Sequence, residues 1–256
     1  MKDGAAREAD ASRFSLRAVV AGVAFAVLAL AGARPAAAQS DPKALELADR
    51  LMEALGGQAA WDAVHFVRFR FAGFRNHSWD KWTGRHRVEF TNRSGEHWIV
   101  IQNLNTRQGR VWKDGQELSG EEATKGVEAG YGTWINDTYW LFMPYKLRDP
   151  GVTLEHAGTV SEDGATYDKI ALSFDNVGLT PGDRYWVFVN QANHRIEKWE
   201  YLLQGREPPP AVRTWEGWEE HGGLWFPTAH RQGNSNTFTR DVETVTEFRP
   251  GEFEAP

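Results

Sequence analysis

The chain has 256 residues, 41% hydrophobic and 25% charged, a composition typical of a folded protein and unlike that of a disordered or polytopic membrane chain. Its 35 acidic residues outnumber 29 basic ones, so no bulk positive charge attracts nucleic acid, and we expect no such partner. The sequence has no cysteine, which excludes disulfides, thiolate metal sites and a cysteine nucleophile. It is tryptophan-rich, with 12 indole rings that must each bury a large area.

The first 38 residues have the organisation of a secretory signal peptide. Basic residues between positions 2 and 17 precede an uncharged stretch, 18–33, that is too short to cross a bilayer as a helix. Ala36 and Ala38 supply the small side chains that signal peptidase accepts. We therefore expect cleavage after Ala38 and a periplasmic or secreted single domain over 39–256. An uncleaved membrane anchor is the alternative.

Residues 41–55 predict an amphipathic helix. Asp41 can accept hydrogen bonds from the first free amides, Pro42 fits the first turn, and apolar residues recur at helical spacing as far as Leu55. Gly56 permits the left-handed conformation that often ends a helix. The apolar stripe must pack against another element.

Most of the remaining sequence alternates polar and apolar residues with the period of β-strands. The clearest runs are 67–71 and 169–174, and similar runs cover about 97–104, 184–190, 195–203, 212–219 and 237–248. Turn signals such as Asp114-Gly115 and Gly222-Gly223 separate these runs. Because no helix-sized insertion recurs between them, we expect a single meandering antiparallel sheet.

A helical segment over residues 119–145 interrupts the strands. Ser119 to Glu122 offers a capping box, and Glu121 and Lys125 are spaced for an ion pair. Gly130-Tyr131-Gly132 indicates a flexible break, followed by a second helix over 133–143 that is apolar nearly all round. We expect this second helix to lie on the apolar face of the sheet and to move as a lid about the glycines.

The sequence lacks the phosphate-binding loop, the dinucleotide fingerprint, the nucleophile elbow and the zinc-protease helix motif. His77 and His86 flank a predicted hairpin turn at Thr83-Gly84, so a metal pair across two strands is one hypothesis. The carboxylates beside them fit a solvated sheet face equally well. We favour a non-catalytic protein and expect no metal and no other cofactor.

The order of signal peptide, amphipathic helix, antiparallel strands, central helical insertion and further strands resembles the LolA-like superfamily of periplasmic lipoprotein carriers. Residues 136–147 and 177–186 are similar to segments of a bacterial family of that fold. The resemblance implies an α+β fold in which an N-terminal helix and a central helical insertion cover one face of a curved antiparallel β-sheet, a half-barrel.

A concave apolar sheet under helices shields acyl chains from water, at about 0.8 kcal/mol for each buried methylene. The resemblance thus implies a monomeric carrier or sensor for a lipid or another hydrophobic small molecule, in transient contact with the membrane or an envelope protein. The predicted lining residues are Phe69, Phe71, Trp98, Val100, Trp134, Phe142, Leu172 and Phe174. The alternatives are a small metal-dependent hydrolase using the histidine-rich strands and an envelope scaffold with a solid core.

Overall fold

The computed structural model describes residues 39–175, 179–254 and 256, so the predicted signal peptide lies outside the described residues. In this part of the chain, no helix combines the length and the apolar character needed to cross a membrane. In chain order, the elements are α1 (Pro42–Ala54), α2 (Gln58–Ala63), β1 (Phe66–Phe71), β2 (Arg75–Asp80), β3 (Arg85–Thr91), β4 (His97–Asn103), β5 (Gln108–Lys113), β6 (Gln116–Glu117), α3 (Gly120–Phe142), a 3-10 helix (Met143–Lys146), β7 (Val152–Glu162), β8 (Ala165–Phe174), β9 (Arg184–Asn190), β10 (Ile196–Leu202), β11 (Ala211–Thr214), β12 (Glu216–His221), β13 (Leu224–Gln232) and β14 (Ser235–Val245).

The strands form two open antiparallel sheets. One has nine strands in the order β12-β13-β14-β1-β2-β3-β4-β5-β6, and the other has five in the order β11-β10-β9-β8-β7. The last strand, β14, pairs with the first, β1, with Phe66 opposite Val245. The predicted α+β class, with an open antiparallel sheet architecture and a central helix, is confirmed.

The expectation of one continuous sheet is wrong, because the chain changes sheets at Trp215. This residue separates β11 from β12, and its backbone amide donates to the Glu197 carbonyl at 2.7 Å. Its indole is 1% exposed and belongs to the core between the sheets. The run over 212–219, predicted as one strand, therefore contains parts of two strands, β11 and β12.

Helix α1 matches its prediction. The Asp41 side chain accepts from the Lys43 amide at 2.8 Å, and the stripe that includes Leu47 and Leu51 is buried. Gly56 has a φ of +117°, and a Cβ at this position would lie 2.2 Å from the Gly223 carbonyl oxygen. Both the conformation and the close approach require glycine here. The short helix α2 that follows was not predicted.

Helix α3 is one continuous helix of 23 residues, so the flexible break predicted at Gly130-Tyr131-Gly132 is wrong. Gly130 serves close packing, since a Cβ there would lie 2.7 Å from Val100 Cγ1. The predicted capping box is also wrong: Ser119 makes no side-chain cap bond, because Gly120 enters the helix with a φ of +60°. The predicted ion pair between Glu121 and Lys125 is present at 2.6 Å.

The main core lies where α1, the C-terminal half of α3 and the 3-10 helix pack against both sheets. Aromatic rings fill much of it. Trp199 packs against Trp140 and Trp215 with ring centroids 4.9 and 5.1 Å apart, and Trp61 stacks on Tyr145 at 4.6 Å. The unusually numerous tryptophans therefore serve largely to pack the core between the two sheets.

Candidate functional site

A buried ion pair anchors α3 to the nine-stranded sheet. Arg75 on β2 donates to both oxygens of Asp137, from Nε at 2.5 Å and from Nη2 at 2.6 Å. The Asp137 side chain is fully buried, and the neighbouring Asn136 amide also donates to it at 2.8 Å. The planar guanidinium matches the carboxylate in a two-bond fork, the strongest geometry for such a pair. The pair fixes the position of α3 on the sheet.

A chain of hydrogen bonds leads from Asp137 into the sheet. His77 Nε2 lies 2.9 Å from Asp137 Oδ2, and His77 Nδ1 lies 3.0 Å from His86 Nε2. His86 Nδ1 in turn lies 3.1 Å from the Gln102 side-chain nitrogen. Because a carboxylate only accepts, His77 donates from Nε2 and accepts at Nδ1 from His86. His86 accepts at Nδ1 from the Gln102 side-chain amide. Each imidazole then carries a single N–H, so both histidines are neutral.

Burial supports this protonation state. It lowers the pKa of His77 against the opposing influence of Asp137, and it lowers the pKa of His86 well below the ordinary value. All four ring nitrogens of the two histidines are engaged in the chain, so neither offers a free lone pair to a metal. Across the described residues, no group of three or more histidine, aspartate or glutamate side chains is placed to hold a metal ion.

An open groove of about 290 Å³ lies between the C-terminal half of α3 and the five-stranded sheet. We name it the apolar groove. It is lined by Trp134, Ile135, Thr138, Tyr139, Lys146, Asp149, Pro150, Val152, Phe174, Leu179, Thr180, Asp183 and Tyr185. Small-molecule sites are typically concave, mostly apolar and about 300–1,000 Å³ in volume, so this groove lies just below that range.

The few charged groups at the apolar groove are paired. Lys146 Nζ lies 2.5 Å from Asp149 Oδ2, and Asp183 accepts from Thr180 Oγ1 at 2.7 Å and from the Tyr185 hydroxyl at 3.1 Å. Burial and the Asp183 charge raise the pKa of Tyr185 well above its ordinary value, so this phenol stays neutral. The lining therefore suits a ligand with an apolar body and at most a small polar group.

Leu179, in the loop between β8 and β9, forms an exposed margin of the apolar groove. It is 55% exposed and lies beside α3, since a Cβ on Gly132 would lie 3.7 Å from Leu179 Cδ1. A ligand that covers this side chain removes its apolar surface from water, which favours binding. Leu203, 41% exposed, is not part of the groove lining and provides a matched comparison.

A second groove, of about 450 Å³, lies between the N-terminal half of α3 and the nine-stranded sheet. It is lined by Phe90, Asn92, Trp98, Val100, Lys113, Leu118, Glu122, Lys125, Gly126, Ala129, Gly130 and Thr133. The α3 residues in this list recur at helical spacing on a face largely opposite to that of Ile135 and Tyr139. Three charged residues, Lys113, Glu122 and Lys125, line the second groove, as three line the apolar groove, but fewer large apolar side chains do, so the second groove is less suited to an apolar ligand.

The eight predicted lining residues fall in three places. Trp134 and Phe174 line the apolar groove, and Trp98 and Val100 line the second groove. Phe69, Phe71, Phe142 and Leu172 are packed in the main core, each no more than 4% exposed. Alternation in a strand shows which side chains turn inward, but it does not show where the inward faces leave an opening.

The predicted lining set does not contain several residues of the apolar groove, among them Ile135, Tyr139, Val152 and Tyr185. Ile135 and Tyr139 carried a signal, because they stand four positions apart on a helix that is apolar nearly all round. Tyr185 lies in the run 184–190, which is predicted only as a strand, and Val152 lies in no predicted element. The buried ion pair between Asp137 and Arg75 was also not predicted.

No family model and no curated protein matches the chain. Among solved structures, a DUF1329 family protein from Desulfovibrio piger aligns over 85% of this chain and 98% of its own, at 10% identity and a TM-score of 0.44. A LolA superfamily protein from Nitrosomonas europaea aligns over 82% and 96%, at 13% identity and a TM-score of 0.45. A Vibrio parahaemolyticus domain assigned to outer membrane lipoprotein sorting aligns over 83% and 96%, at 10% identity and a TM-score of 0.43.

These likenesses concern the fold alone.

Proposed function

We propose that this chain is an exported, non-catalytic protein that binds a lipid or acyl group in the apolar groove, as a carrier or a sensor. The observation that carries the proposal is the groove of about 290 Å³ beside a packed core, with mainly apolar side chains on both its helix wall and its sheet wall. Its charged groups are already paired with each other or with phenol and hydroxyl donors. A hydrophobic ligand therefore enters without stranding a charge.

The affinity in this proposal comes from removing apolar surface from water. Each methylene buried contributes about 0.8 kcal/mol, so an acyl chain with about eight buried methylenes gains about 6 kcal/mol. The loss of translational, rotational and chain freedom on binding offsets part of this gain. Affinity should consequently rise with chain length until the groove is filled.

Export fits this role, because a lipid carrier acts in the aqueous space beside a membrane. Residues 1–38 have the pattern of a cleaved signal peptide, and we propose that 39–256 act as one monomeric domain in transient contact with the membrane or an envelope protein. N-terminal sequencing of the exported protein tests the first point. The expected first residue is Gln39, and an earlier start contradicts cleavage after Ala38.

Titration with dansyl-labelled undecanoic acid tests ligand binding, since the dansyl emission rises when the probe leaves water. The sharpest comparison places the same charge on two exposed leucines. In Leu179→Glu the carboxylate stands at the apolar groove, and we expect affinity to fall about tenfold or more. In Leu203→Glu the carboxylate stands outside the groove, and we expect wild-type affinity. Equal affinities in the two variants would place the probe elsewhere and overturn the assignment of the groove.

A second candidate function is an envelope scaffold with a solid core. The complete burial of Phe142 and Leu172, two predicted lining residues, favours it. A scaffold has no use for an apolar ligand, so it predicts no saturable binding of the dansyl probe by the wild-type protein. Saturable binding that Leu179→Glu weakens selects the carrier or sensor instead.

A further inference from the structure

The outer face of the nine-stranded sheet carries a row of arginines. Across five neighbouring strands, Arg68 pairs with Ser78, Ser78 with Arg87, Arg87 with Ile101 and Ile101 with Arg110. Directly paired residues project on the same face of a sheet, so three guanidinium groups stand in one line. We name this line the arginine row.

An apolar patch lies beside the arginine row. It consists of Ile99, Ile101 and Trp112, which form a cluster separate from the main core and are 4%, 8% and 5% exposed. Val100, between the two isoleucines, projects to the other face of the sheet and lines the second groove. The side chain that packs on the patch is Phe253, near the C-terminus.

Residues 248–254, which we name the tail, lie on this face and place a carboxylate in the arginine row. Glu252 Oε1 accepts from Ser78 Oγ at 2.5 Å, and Oε2 lies 3.7 Å from Arg68 Nη2. Arg87 donates to the Glu252 carbonyl oxygen at 3.4 Å. Arg110 donates to the Glu254 carbonyl oxygen at 2.9 Å. Arg68 and Ser78 thus bind one acidic side chain, whereas Arg87 and Arg110, which also pair with Glu89 and Glu117, bind two backbone carbonyls.

Two aromatic rings complete the contact. Phe248 packs on Phe66 of β1 with centroids 4.6 Å apart, and its ring meets Phe253 edge-on at 4.9 Å. The guanidinium of Arg68 lies 5.0 Å from the Phe248 ring centroid, and that of Arg85 lies 4.9 Å from the Phe253 centroid. These distances allow cation–π attraction in addition to apolar burial.

The tail is attached to the sheet through side chains. Its backbone closes on itself, with the Glu252 amide bonded to the Arg249 carbonyl at 3.1 Å and the Glu254 amide to the Gly251 carbonyl at 3.0 Å. In these hydrogen bonds the sheet contributes the Ser78 hydroxyl and the guanidinium groups of Arg87 and Arg110, and no backbone group of a strand takes part. The tail can therefore leave without breaking a hydrogen bond between strands.

We propose that the arginine row and the apolar patch form a docking site for an acidic aromatic segment of a partner protein, with a glutamate next to a phenylalanine, and that the tail is its intramolecular competitor. The tail supplies the complementary chemistry: a carboxylate for the row and a phenyl ring for the patch. A tethered segment competes at a high effective concentration, so a partner must match these contacts to displace it. The site lies on the face of the sheet opposite α3 and is separate from the proposed ligand groove.

The test uses the full chain with a loosened tail. The double variant Glu252→Gln, Phe253→Ala removes the carboxylate and the ring from the tail and leaves the sheet unchanged. The probe is a fluorescein-labelled peptide with the wild-type sequence of residues 246–256, followed by fluorescence anisotropy. We expect the double variant to bind it about tenfold or more tightly than wild type does. Adding Arg68→Ala should reverse that gain, and a peptide carrying the same two substitutions should not bind.

Two results would overturn the proposal: no peptide binding by a double variant that keeps a cooperative thermal transition, or binding that is indifferent to Arg68→Ala. A second measurement does not depend on the double variant folding. In ¹⁵N NMR of the wild-type chain, a large excess of unlabelled peptide should move the amide resonances of Glu252 and Phe253 to the positions of a free tail. Unchanged tail resonances at saturating peptide contradict the docking site.

Discussion

Arg75 and Asp137 stand 62 positions apart in the sequence and form a two-bond ion pair between β2 and α3. The Asp137 side chain is fully buried, whereas that of Arg75 remains 22% exposed. Asp137 also accepts a hydrogen bond from His77, the last residue of the chain that begins at Gln102. One carboxylate therefore joins the helix that walls the apolar groove to the nine-stranded sheet.

Replacing Asp137 with Asn should destabilise the protein strongly. The amide keeps the shape of the side chain but turns one acceptor into a donor that faces Arg75 and His77, and it leaves the guanidinium without its counter-charge. Breaking a buried pair by removing one partner costs about 3–5 kcal/mol of unfolding free energy. Urea unfolding measures this directly. Asp149→Asn is the matched control, because Asp149 pairs with Lys146 on the surface and should cost less than about 1 kcal/mol. Similar losses in both variants would contradict a stabilising role of the buried pair between Arg75 and Asp137.

The two glycines of the predicted break should respond oppositely to alanine. In Gly130→Ala the new Cβ meets Val100 Cγ1 at 2.7 Å, an overpacked contact that we expect to cost about 1–3 kcal/mol. In Gly132→Ala the nearest atom is Leu179 Cδ1 at an ordinary 3.7 Å, so helix propensity should dominate and stabilise by up to about 1 kcal/mol. Thermal unfolding of the two variants checks the signs. A hinge at these positions predicts instead that both variants lose function with little change in stability.

The stability of the fold should decrease in mild acid. Burial lowers the folded-state pKa of His77, His86 and His230, the last to about 4, whereas an unfolded histidine titrates near 6.5. The unfolded chain therefore binds more protons below about pH 6.5, and stability is lost as the pH falls from about 6.5 toward 4. His230 alone should account for a loss on the order of 3 kcal/mol by about pH 4.

Denaturant unfolding at several pH values between 7.5 and 4.5 measures this loss. His230→Gln should make stability less dependent on pH, because it removes one titrating group while an amide N–H can still reach the Thr214 carbonyl. A pH profile as steep in the variant as in wild type would show that His230 does not titrate as its burial requires.

The acyl-chain length of the ligand should set its affinity. Each added methylene contributes about 0.8 kcal/mol while it is buried, so the displacing power of saturated fatty acids should rise about fourfold per methylene and then level off. Competition against dansyl-labelled undecanoic acid measures the series. An affinity independent of chain length would indicate recognition of the carboxylate at the surface rather than burial of the chain.

Local signals predicted the regular elements well. Asp41, Pro42 and the spacing to Leu55 act within one helix and therefore defined α1. Alternation located strands such as β4 and β9. The unbroken course of α3 could not be predicted, because the packing that favours Gly130 involves Val100, which is distant in the sequence. The change of sheet at Trp215 could not be predicted either. Both flanking segments, β11 and β12, are strands, and a local pattern does not show which sheet a strand joins.

The candidate site was predicted only in part, for a physical reason. Trp134 and Phe174 are among the predicted lining residues, and both line the apolar groove. Phe69 and Phe142 have the same inward signature and are fully packed in the core. Whether an inward side chain meets a neighbour or borders an opening depends on the distance between α3 and the two sheets. That distance is set by contacts such as Arg75 to Asp137, which no local pattern reveals.

Native mass spectrometry of the protein isolated from its own host tests ligand binding most directly. We predict a mass excess corresponding to one lipid or fatty acid, released by organic solvent, present in Leu203→Glu and absent or strongly reduced in Leu179→Glu. A wild-type protein that carries no ligand and takes up no fatty acid on incubation would contradict the proposed lipid-binding function.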